Sequence, residues 1–211
     1  MVSVFILDDH PIVREGIKQI VQESGEFIVT GEAATGEETI ATLMKNPCDL
    51  AIIDISIPGM NGLEVLSKMK QKGIDIKVVI MSRHQESQYA IRAFKLGANG
   101  YLNKQIVGEE LLIALKRVVR GRRYITPELA EEILDFSIET DSEEPLYTRL
   151  SEREFQVFER LANGKTIAES SRELNLSPNT IATYRQRILN KLHLKNNAQL
   201  MHYAVEQHLF D

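Results

Sequence analysis

The sequence predicts an α/β protein with a doubly wound parallel sheet of five strands, followed by a small all-α domain of the helix-turn-helix type. Two observations lead to this fold class. Apolar runs of strand length alternate five times with amphipathic helical runs over residues 2–120, and every element after Leu150 has a helical pattern. Continuous apolar strands separated by helices are typical of a parallel sheet covered on both faces, and right-handed crossovers make such a sheet doubly wound.

The predicted elements follow one another in strict alternation. Strands are expected at 2–7, 27–33, 49–54, 76–82 and 100–103, and helices at 11–24, 36–45, 62–72, 86–96 and 107–120. A further helix begins at Pro127 with Thr126 as its N-cap, and a polar, acidic stretch then runs to Pro145. The predicted domains are 1–121, a linker with a short helix at 122–145, and a helical domain at 146–211.

The composition is that of an ordinary soluble globular protein, with 43% hydrophobic and 26% charged residues. No apolar run is long enough to span a bilayer, and the N-terminus lacks the basic and small-residue features of a signal peptide. The single cysteine, Cys48, has no partner for an intrachain disulfide. We therefore expect a cytoplasmic protein.

The charge is distributed unevenly along the chain. Residues 1–144 carry 16 Lys and Arg against 23 Asp and Glu, a balance of −7, whereas residues 145–211 carry 9 against 7, a balance of +2. An acidic body joined to a mildly basic helical domain favours nucleic acid as the partner of the second part.

Side chains with complementary charges follow the predicted strands. The first strand ends in Asp8 and Asp9, the third in Asp54, the fourth in Ser82, and the fifth contributes Tyr101 and Lys104. The carboxyl ends of parallel strands share one edge of a sheet, where such folds bind ligands. Each residue alone has an ordinary structural explanation as a helix cap, strand terminus, turn or surface residue. Their joint position at strand ends favours a site.

Three carboxylates without a cation would repel one another. Mg²⁺ prefers oxygen ligands, so Asp8 and Asp9 are interpreted as metal ligands. Asp54 is then available as a nucleophile toward a phosphoryl group. The metal, Lys104 and the Ser82 hydroxyl would neutralise the phosphoryl oxygens.

These residues carry a resemblance to a known family. The stretches "DDH", "IIDISIPGMNG", "VIMS" and "GYLNK" resemble the flavodoxin-like receiver domain of bacterial two-component response regulators over roughly residues 2–120. The resemblance implies that Asp54 accepts phosphate from a sensor histidine kinase. It also implies a protein that uses Mg²⁺ to promote its own phosphotransfer and dephosphorylation and is not an enzyme in the usual sense.

The same resemblance assigns roles to the neighbouring residues. Asp9 would bind Mg²⁺ directly, Asp8 through water, and the Ser56 carbonyl would complete the metal set with Asp54. Ser82 and Tyr101 would form a switch pair that reorients on phosphorylation. One position departs from the family pattern: many receivers have Lys-Pro where this chain has Lys104-Gln105, so the geometry of that loop does not follow from the resemblance.

The stretch 166–194 has the spacing of a helix-turn-helix: a nine-residue helix, a short turn, and a second helix that begins at Ser177. On a helical wheel the predicted buried face holds Ile181, Tyr184, Ile188 and Leu192. The opposite face holds Asn179, Ala182, Thr183, Gln186 and Asn190, and Arg185, Arg187 and Lys191 flank it. A small polar face with basic shoulders suits a helix in the major groove. A solvated face in an ordinary helical bundle is the alternative.

The stretch from Leu150 to Leu194 is similar to the LuxR-type output domain, so that the whole chain resembles a response regulator of the NarL/FixJ type. The resemblance implies contacts with an operator of two half-sites from Asn179, Thr180, Ala182, Thr183, Arg185, Gln186, Arg187, Lys191 and Lys165. The family often has Lys in place of Ala182 and His in place of Tyr184.

A final amphipathic helix is predicted at 197–208. It would carry an apolar stripe of Leu200, Met201, Ala204, Val205 and His208. In the family the corresponding helix pairs two DNA-bound copies, which implies a homodimer of the phosphorylated protein. Packing of this helix on its own domain is the alternative.

The leading interpretation is a phosphorylation-controlled transcription factor. A haloacid-dehalogenase-type phosphatase would need a second aspartate two residues after Asp54, where Ser56 stands instead. A flavodoxin-like cofactor carrier would need a phosphate-binding loop after the first strand, where two acids stand. A DNA-binding scaffold that ignores phosphorylation remains the third alternative.

Overall fold

The computed structural model describes residues 1–82, 87–104, 108–139, 145–207 and 209, without the side chains of Glu109 and 135–139. The chain divides into two compact units, Met1–Asp135 and Phe136–Asp211. Within the described residues, no helix has the length and apolar character needed to cross a membrane.

The first unit is built on a parallel sheet of five strands, as predicted. The strands are β1 (Val2–Leu7), β2 (Phe27–Ala33), β3 (Leu50–Asp54), β4 (Lys77–Ser82) and β5 (Gly100–Asn103). The helices that connect or follow them are α1 (Pro11–Glu23), α2 (Gly36–Lys45), α3 (Gly62–Gln71), α4 (Ser87–Leu96) and α5 (Glu109–Val119). The strand order is β2-β1-β3-β4-β5, so the order reverses between β1 and β3. Ligands of such sheets bind at the carboxyl ends of the strands beside this reversal.

The central strands are buried because helices cover both faces of the sheet. Val4 through Leu7 of β1 and all five residues of β3 are almost inaccessible to solvent. This burial explains why these strands are continuous apolar runs without polar alternation. It also explains why the aspartates Asp8 and Asp54, which directly follow the apolar residues, are drawn into a nearly closed environment.

The sheet edge extends beyond β5 into the segment that was predicted as linker. The Tyr124 N–H donates to the Asn99 carbonyl, and the Tyr101 N–H donates to the Tyr124 carbonyl, at 2.9 and 3.0 Å. Tyr124 is buried in the same core as the strands. Its two backbone hydrogen bonds therefore attach residues just after 121 to the first unit. The domain boundaries predicted at 121 and 146 stay predictions.

The second unit is helical. The helix α6 (Pro127–Glu139) contains the boundary between the units, and a short 3₁₀ turn at Leu146–Arg149 precedes α7 (Glu152–Ala162), α8 (Ile167–Glu173), α9 (Pro178–Lys191) and α10 (Asn197–Glu206). Capping boxes of Ser151 with Glu154 and of Thr166 with Glu169 begin α7 and α8. Ser177 caps α9 by accepting from the Thr180 N–H, as predicted. The first helix of the pair, α8, has seven residues instead of the nine predicted.

Aromatic side chains form the centre of this second unit. Tyr147 packs on Phe155, Phe155 on Phe158, and Phe158 on Tyr203, with ring centroids 6.1–6.3 Å apart. The Tyr203 hydroxyl also accepts a hydrogen bond from the Tyr147 N–H at 3.2 Å. Tyr203 lies on α10, so α10 is held to the 3₁₀ turn and to α7 by one aromatic residue.

Candidate functional site

Three of the residues predicted for the sheet-edge site lie in direct contact. Asp8 follows β1, Asp54 ends β3, and Lys104 follows β5. The Lys104 Nζ lies 2.6 Å from an Oδ2 of each aspartate. Asp8 and Asp54 are each only 1% exposed. A single ammonium group therefore bridges two buried carboxylates at the point where the strand order reverses.

The neighbouring residues complete an acidic cluster. Ligand atoms of Asp8, Asp9, His10 and Asp54 all lie within 4.8 Å of one another. The His10 N–H donates to the Asp8 Oδ1 at 2.9 Å, and the His10 Nδ1 lies 2.6 Å from the Asp9 Oδ1. No signal in the sequence placed the His10 ring against the acids. The N–H that Asp8 accepts from is therefore that of the residue just before α1, and no side chain caps this helix.

The composition of this cluster fits a divalent cation. Three carboxylates meet there, and Lys104 supplies one positive charge beside them. Hard oxygen donors with an excess of negative charge are the donor set that Mg²⁺ takes in proteins. The predicted fourth ligand, the Ser56 carbonyl, lies in the loop just after Asp54 and stays a prediction.

Burial raises the pKa of the Asp54 carboxyl above its ordinary value, while the Lys104 ammonium acts in the opposite direction. The Ser56 N–H donates to the Asp54 Oδ1 at 3.1 Å and fixes one carboxylate oxygen. Lys104 holds the other oxygen. The side chain of Asp54 is therefore oriented by one backbone donor and one cation.

The backbone around Asp54 is closely packed against the start of α3. A Cβ on Gly62 would lie 2.2 Å from the Asp54 carbonyl oxygen, so only glycine fits there. Asn61 caps α3 in a capping box with Glu64, which fixes where the helix begins. The stretch "PGMNG" thus ends in a glycine that allows α3 to contact the strand end carrying Asp54.

The predicted switch residues Ser82 and Tyr101 are both buried. Ser82 is the last residue of β4, and its strand partner in β5 is Asn103. Tyr101 lies in β5 opposite Ile80. Both residues therefore belong to strands on the Lys104 side of β3: β4 lies next to β3, and β5 lies next to β4. Gln105 lies outside the described residues, and with it the geometry of the Lys104-Gln105 loop.

The second unit presents the predicted polar face on α9. Ile181, Ile188 and Leu192 are buried as predicted, whereas Tyr184 is only half-buried and Leu189, off the predicted face, is buried as well. Both α7 and α8 pack on α9, so more of the circumference of α9 is buried than the single face predicted from a helical wheel. The outer positions Asn179, Ala182, Thr183, Gln186 and Asn190 are exposed, and Thr180 is partly exposed.

The cations predicted to flank this face differ in their surroundings. The Lys191 Nζ lies 2.6 Å from a Glu154 carboxylate oxygen, and the Lys165 Nζ lies 3.1 Å from one of Glu173. The Arg185 Nε donates to the Asn197 Oδ1 at 2.6 Å, which links α9 to the start of α10. The Arg187 guanidinium lies over the Tyr184 ring at 5.9 Å. The contacts of Lys191 and Arg185 join residues 37 and 12 positions apart, which no local pattern encodes, whereas Arg187 and Tyr184 are one helical turn apart.

The apolar stripe predicted on α10 is divided. Leu200 and Ala204 are buried in their own unit. Met201 and Val205 are 41% and 69% exposed. His208 lies outside the described residues. Packing on its own unit therefore accounts for half of the stripe, and the exposed half is available to a second copy.

Comparison with known proteins agrees with this geometry. The family model described as "Response regulator receiver domain" matches residues 4–116. The model described as "Bacterial regulatory proteins, luxR family" matches residues 148–204. Together they cover the sheet-edge cluster and the helices α7 to α9 with most of α10.

Several known proteins are similar to this chain over nearly its whole length. The response regulator UvrY of Escherichia coli K12 is 34% identical over 209 residues, which is 99% of this chain and 96% of UvrY. The response regulator GacA of Pseudomonas aeruginosa is 33% identical over 211 residues, 100% of this chain and 99% of GacA. RcsB of Salmonella enterica serovar Typhimurium, solved on a promoter with the phosphomimetic BeF₃⁻, is 26% identical, covers 96% of this chain and 97% of its own, and has a TM-score of 0.62. The chain therefore belongs to the response regulators, with a receiver domain joined to a LuxR-type DNA-binding domain as in the NarL/FixJ type.

Proposed function

We propose that this response regulator controls transcription through phosphorylation of Asp54 by a sensor histidine kinase. The observation that carries the proposal is the buried Asp54 carboxylate held by Lys104 beside Asp8 in a receiver domain. The named relatives are response regulators, and RcsB was solved on promoter DNA with a phosphomimetic. Because the proposed partner is duplex DNA, we also propose a cytoplasmic location.

The phosphotransfer step needs a nucleophile and a counter-charge. An Asp54 carboxylate oxygen would form the new O–P bond while the bond from phosphorus to the kinase histidine nitrogen breaks, and the nitrogen keeps that electron pair. The Lys104 ammonium, already 2.6 Å from Asp54, would neutralise charge on the phosphoryl oxygens. Water attack on the same phosphorus would later release phosphate and restore the carboxylate.

Mg²⁺ fits the carboxylate cluster described above. Asp8, Asp9 and Asp54 with the Ser56 carbonyl would hold it, and the bound ion would neutralise further phosphoryl charge. Asp8 would keep its second role as a partner of Lys104, which ties the lysine to the same cluster. Ser82 and Tyr101 would then respond to the phosphoryl group as the switch pair.

The output would be operator binding by α9. Asn179, Thr180, Ala182, Thr183 and Gln186 would meet base edges, and Arg185, Arg187, Lys191 and Lys165 would meet phosphates. The exposed side chains of Met201 and Val205 on α10 would pair two copies on two half-sites. Phosphorylation would change how often this paired state forms, since a ligand shifts an equilibrium by its differential affinity for the two states.

The test combines labelling with assembly. Asp54→Asn should abolish Mg²⁺-dependent labelling by radiolabelled acetyl phosphate, whereas Asp75→Asn, a matched change at an exposed aspartate away from the site, should not. Beryllofluoride should promote dimerisation of the wild type in sedimentation and its binding to duplexes selected from a random library. Equal labelling of Asp54→Asn and wild type would refute Asp54 as the acceptor.

A further inference from the structure

Two of the lysines proposed to meet DNA phosphates are held by carboxylates of their own domain. The Lys191 Nζ contacts a Glu154 oxygen at 2.6 Å and also donates to the Arg149 carbonyl at 3.3 Å. The Lys165 Nζ contacts a Glu173 oxygen at 3.1 Å. Both lysine side chains remain about two-fifths exposed, at 41% and 44%, so that a phosphate can still approach each ammonium.

The Glu154 carboxylate is a fixed acceptor. Its side chain is 5% exposed, and the oxygen that contacts Lys191 also accepts the Ser151 N–H at 2.7 Å as part of the capping box of α7. Burial alone would raise the pKa of Glu154, but the hydrogen bonds from Lys191 and Ser151 outweigh it and hold the pKa below its ordinary value. The carboxylate is therefore charged at neutral pH and stays in place when Lys191 leaves.

The Glu173 carboxylate is built differently. It is 39% exposed and contacts Arg160 at 2.9 Å as well as Lys165. Exposed ion pairs of this kind contribute little net free energy. Lys165 can therefore exchange Glu173 for a phosphate that is held close to it, and Glu173 keeps Arg160 as a partner after the exchange.

We propose that Glu154 and Glu173 compete with DNA phosphates for Lys191 and Lys165 and thereby weaken binding to DNA of unmatched sequence. This inference rests on the proposed function, since it assumes that α9 enters the groove. On unmatched DNA the domain is held loosely, and each lysine stays with its carboxylate. On a matching operator the base contacts hold α9 close, and the phosphates take the lysines.

Arg187 marks the contrast. Among the residues that the structure describes, no carboxylate lies within ion-pair distance of its guanidinium, which lies over the Tyr184 ring instead. Arg187 is therefore available to phosphates of any sequence. Arg187 would therefore bind phosphates of any DNA, whereas Lys191 and Lys165 would stay neutralised by their carboxylates until α9 is held close to a matching operator.

The experiment measures how the affinity for a random-sequence duplex of about 30 base pairs depends on salt. Each phosphate contact contributes a slope of about −0.9 in a plot of log K against log salt. Glu173→Gln and Glu154→Gln should each steepen this slope by about one unit in the full-length chain. Gln at position 154 preserves the capping box, which accepts Glu or Gln. Glu206→Gln removes the same charge from a carboxylate whose partner is His202, and it sets the baseline for charge loss alone.

A second measurement distinguishes the release of a lysine from a general change in the electrostatic potential of the domain. Lys165→Ala should leave the slope of the wild type on random DNA nearly unchanged but should cancel the gain in the Glu173→Gln background. Slopes of Glu173→Gln and Glu154→Gln equal to that of Glu206→Gln would overturn the inference while leaving the proposed function intact. A wild-type protein that binds no DNA under any activating condition would overturn both.

Discussion

The Lys104 Nζ and the Asp54 carboxylate lie 2.6 Å apart, and their side chains are 7% and 1% exposed. The same ammonium contacts Asp8 at the same distance. Removing one member of a buried ion pair leaves uncompensated charge, which typically costs 3–5 kcal/mol. The proposed phosphorylation site is therefore also a point on which the stability of the receiver domain depends.

Lys104→Met should lower the free energy of unfolding by about 3 kcal/mol in the absence of divalent cations, because two buried carboxylates lose their shared cation. Mg²⁺ should raise the melting temperature of this variant more than that of the wild type, since the ion restores positive charge in the cluster. Thermal melts followed by circular dichroism measure the melting temperatures of both proteins, first without Mg²⁺ and then with about 10 mM Mg²⁺, which is enough to saturate a weak site. Lys70→Met, at an exposed lysine of α3, is the control. Equal Mg²⁺ effects on both variants would contradict the expectation.

Gly62→Ala should destabilise the receiver domain by more than about 2 kcal/mol, because the new Cβ would lie 2.2 Å from the Asp54 carbonyl oxygen and neither backbone can yield easily. Labelling by acetyl phosphate should fall with it. Gly16→Ala is the matched control: its Cβ would meet nothing within 4 Å, and the change should stabilise α1 by about 0.5–1 kcal/mol. Denaturant unfolding measures both, and a neutral Gly62→Ala would show that α3 can move away from the strand end.

The architecture and the sheet-edge site were predictable because both follow from local signals. Apolar runs of strand length flanked by amphipathic runs determine a buried parallel sheet, and the topology brings the strand ends to one edge. Asp8, Asp54 and Lys104 are adjacent in space for that reason alone. The capping boxes that begin α7 and α8 were likewise visible as Ser or Thr followed three residues later by Glu.

The remaining features depend on contacts that no local pattern encodes. Lys191 and Glu154 are 37 residues apart, and their contact depends on how α7 crosses α9. Tyr124 joins the sheet edge through backbone hydrogen bonds, and because these do not depend on the type of side chain, the sequence pattern does not indicate them. Leu189 is buried because two helices instead of one pack on α9, which a single wheel stripe cannot predict.

Glu154→Gln should flatten the acid dependence of stability. The pKa of Glu154 in the folded protein is held below its ordinary value, with burial opposed by the hydrogen bonds from Lys191 and Ser151. A carboxyl with a lowered folded pKa contributes stability that is complete above the unfolded pKa of about 4.3 and is lost as the pH falls through the folded value. Denaturant unfolding at about pH 6, 5, 4 and 3.5, which brackets that range, should give a steeper decline for the wild type than for the variant. An equal decline of the free energy of unfolding in both proteins would show that the Lys191 contact does not make stability depend on pH.

Cys48 should react slowly with iodoacetamide in the folded protein. Burial raises the pKa of its thiol to about 11. At pH 8 the thiolate fraction is then roughly one in a thousand, against about a quarter for a thiol with the ordinary pKa of 8.5. The labelling rate, measured by mass spectrometry, should rise about tenfold per pH unit between about pH 8 and 10, and it should be far higher in urea. A rate that levels off near pH 9 would mean an ordinary, accessible thiol.

Gln186 and Arg187 are neighbours on α9 whose loss should have different consequences. The Gln186 amide donates to the Asn190 Oδ1 at 3.1 Å, which aligns two polar side chains along the exposed face. Arg187 carries a charge on the shoulder of that face. A side chain that reads a base edge affects discrimination, whereas one that meets a phosphate affects all sequences alike.

Arg187→Ala should therefore weaken binding to a selected operator and to a scrambled duplex by the same factor, and it should reduce the salt slope by about one unit for each. Gln186→Ala should leave the scrambled duplex and the salt slope nearly unchanged, but it should lower the discrimination between operator and scrambled DNA by roughly 1–3 kcal/mol. Fluorescence anisotropy titrations from about 50 to 200 mM salt, the range over which phosphate contacts change affinity strongly, measure both quantities. Arg187→Lys keeps the charge and should restore most of the slope. If Gln186→Ala instead flattened the salt slope, or Arg187→Ala changed only the preference for the operator, the orientation of α9 in the groove would differ from the one proposed.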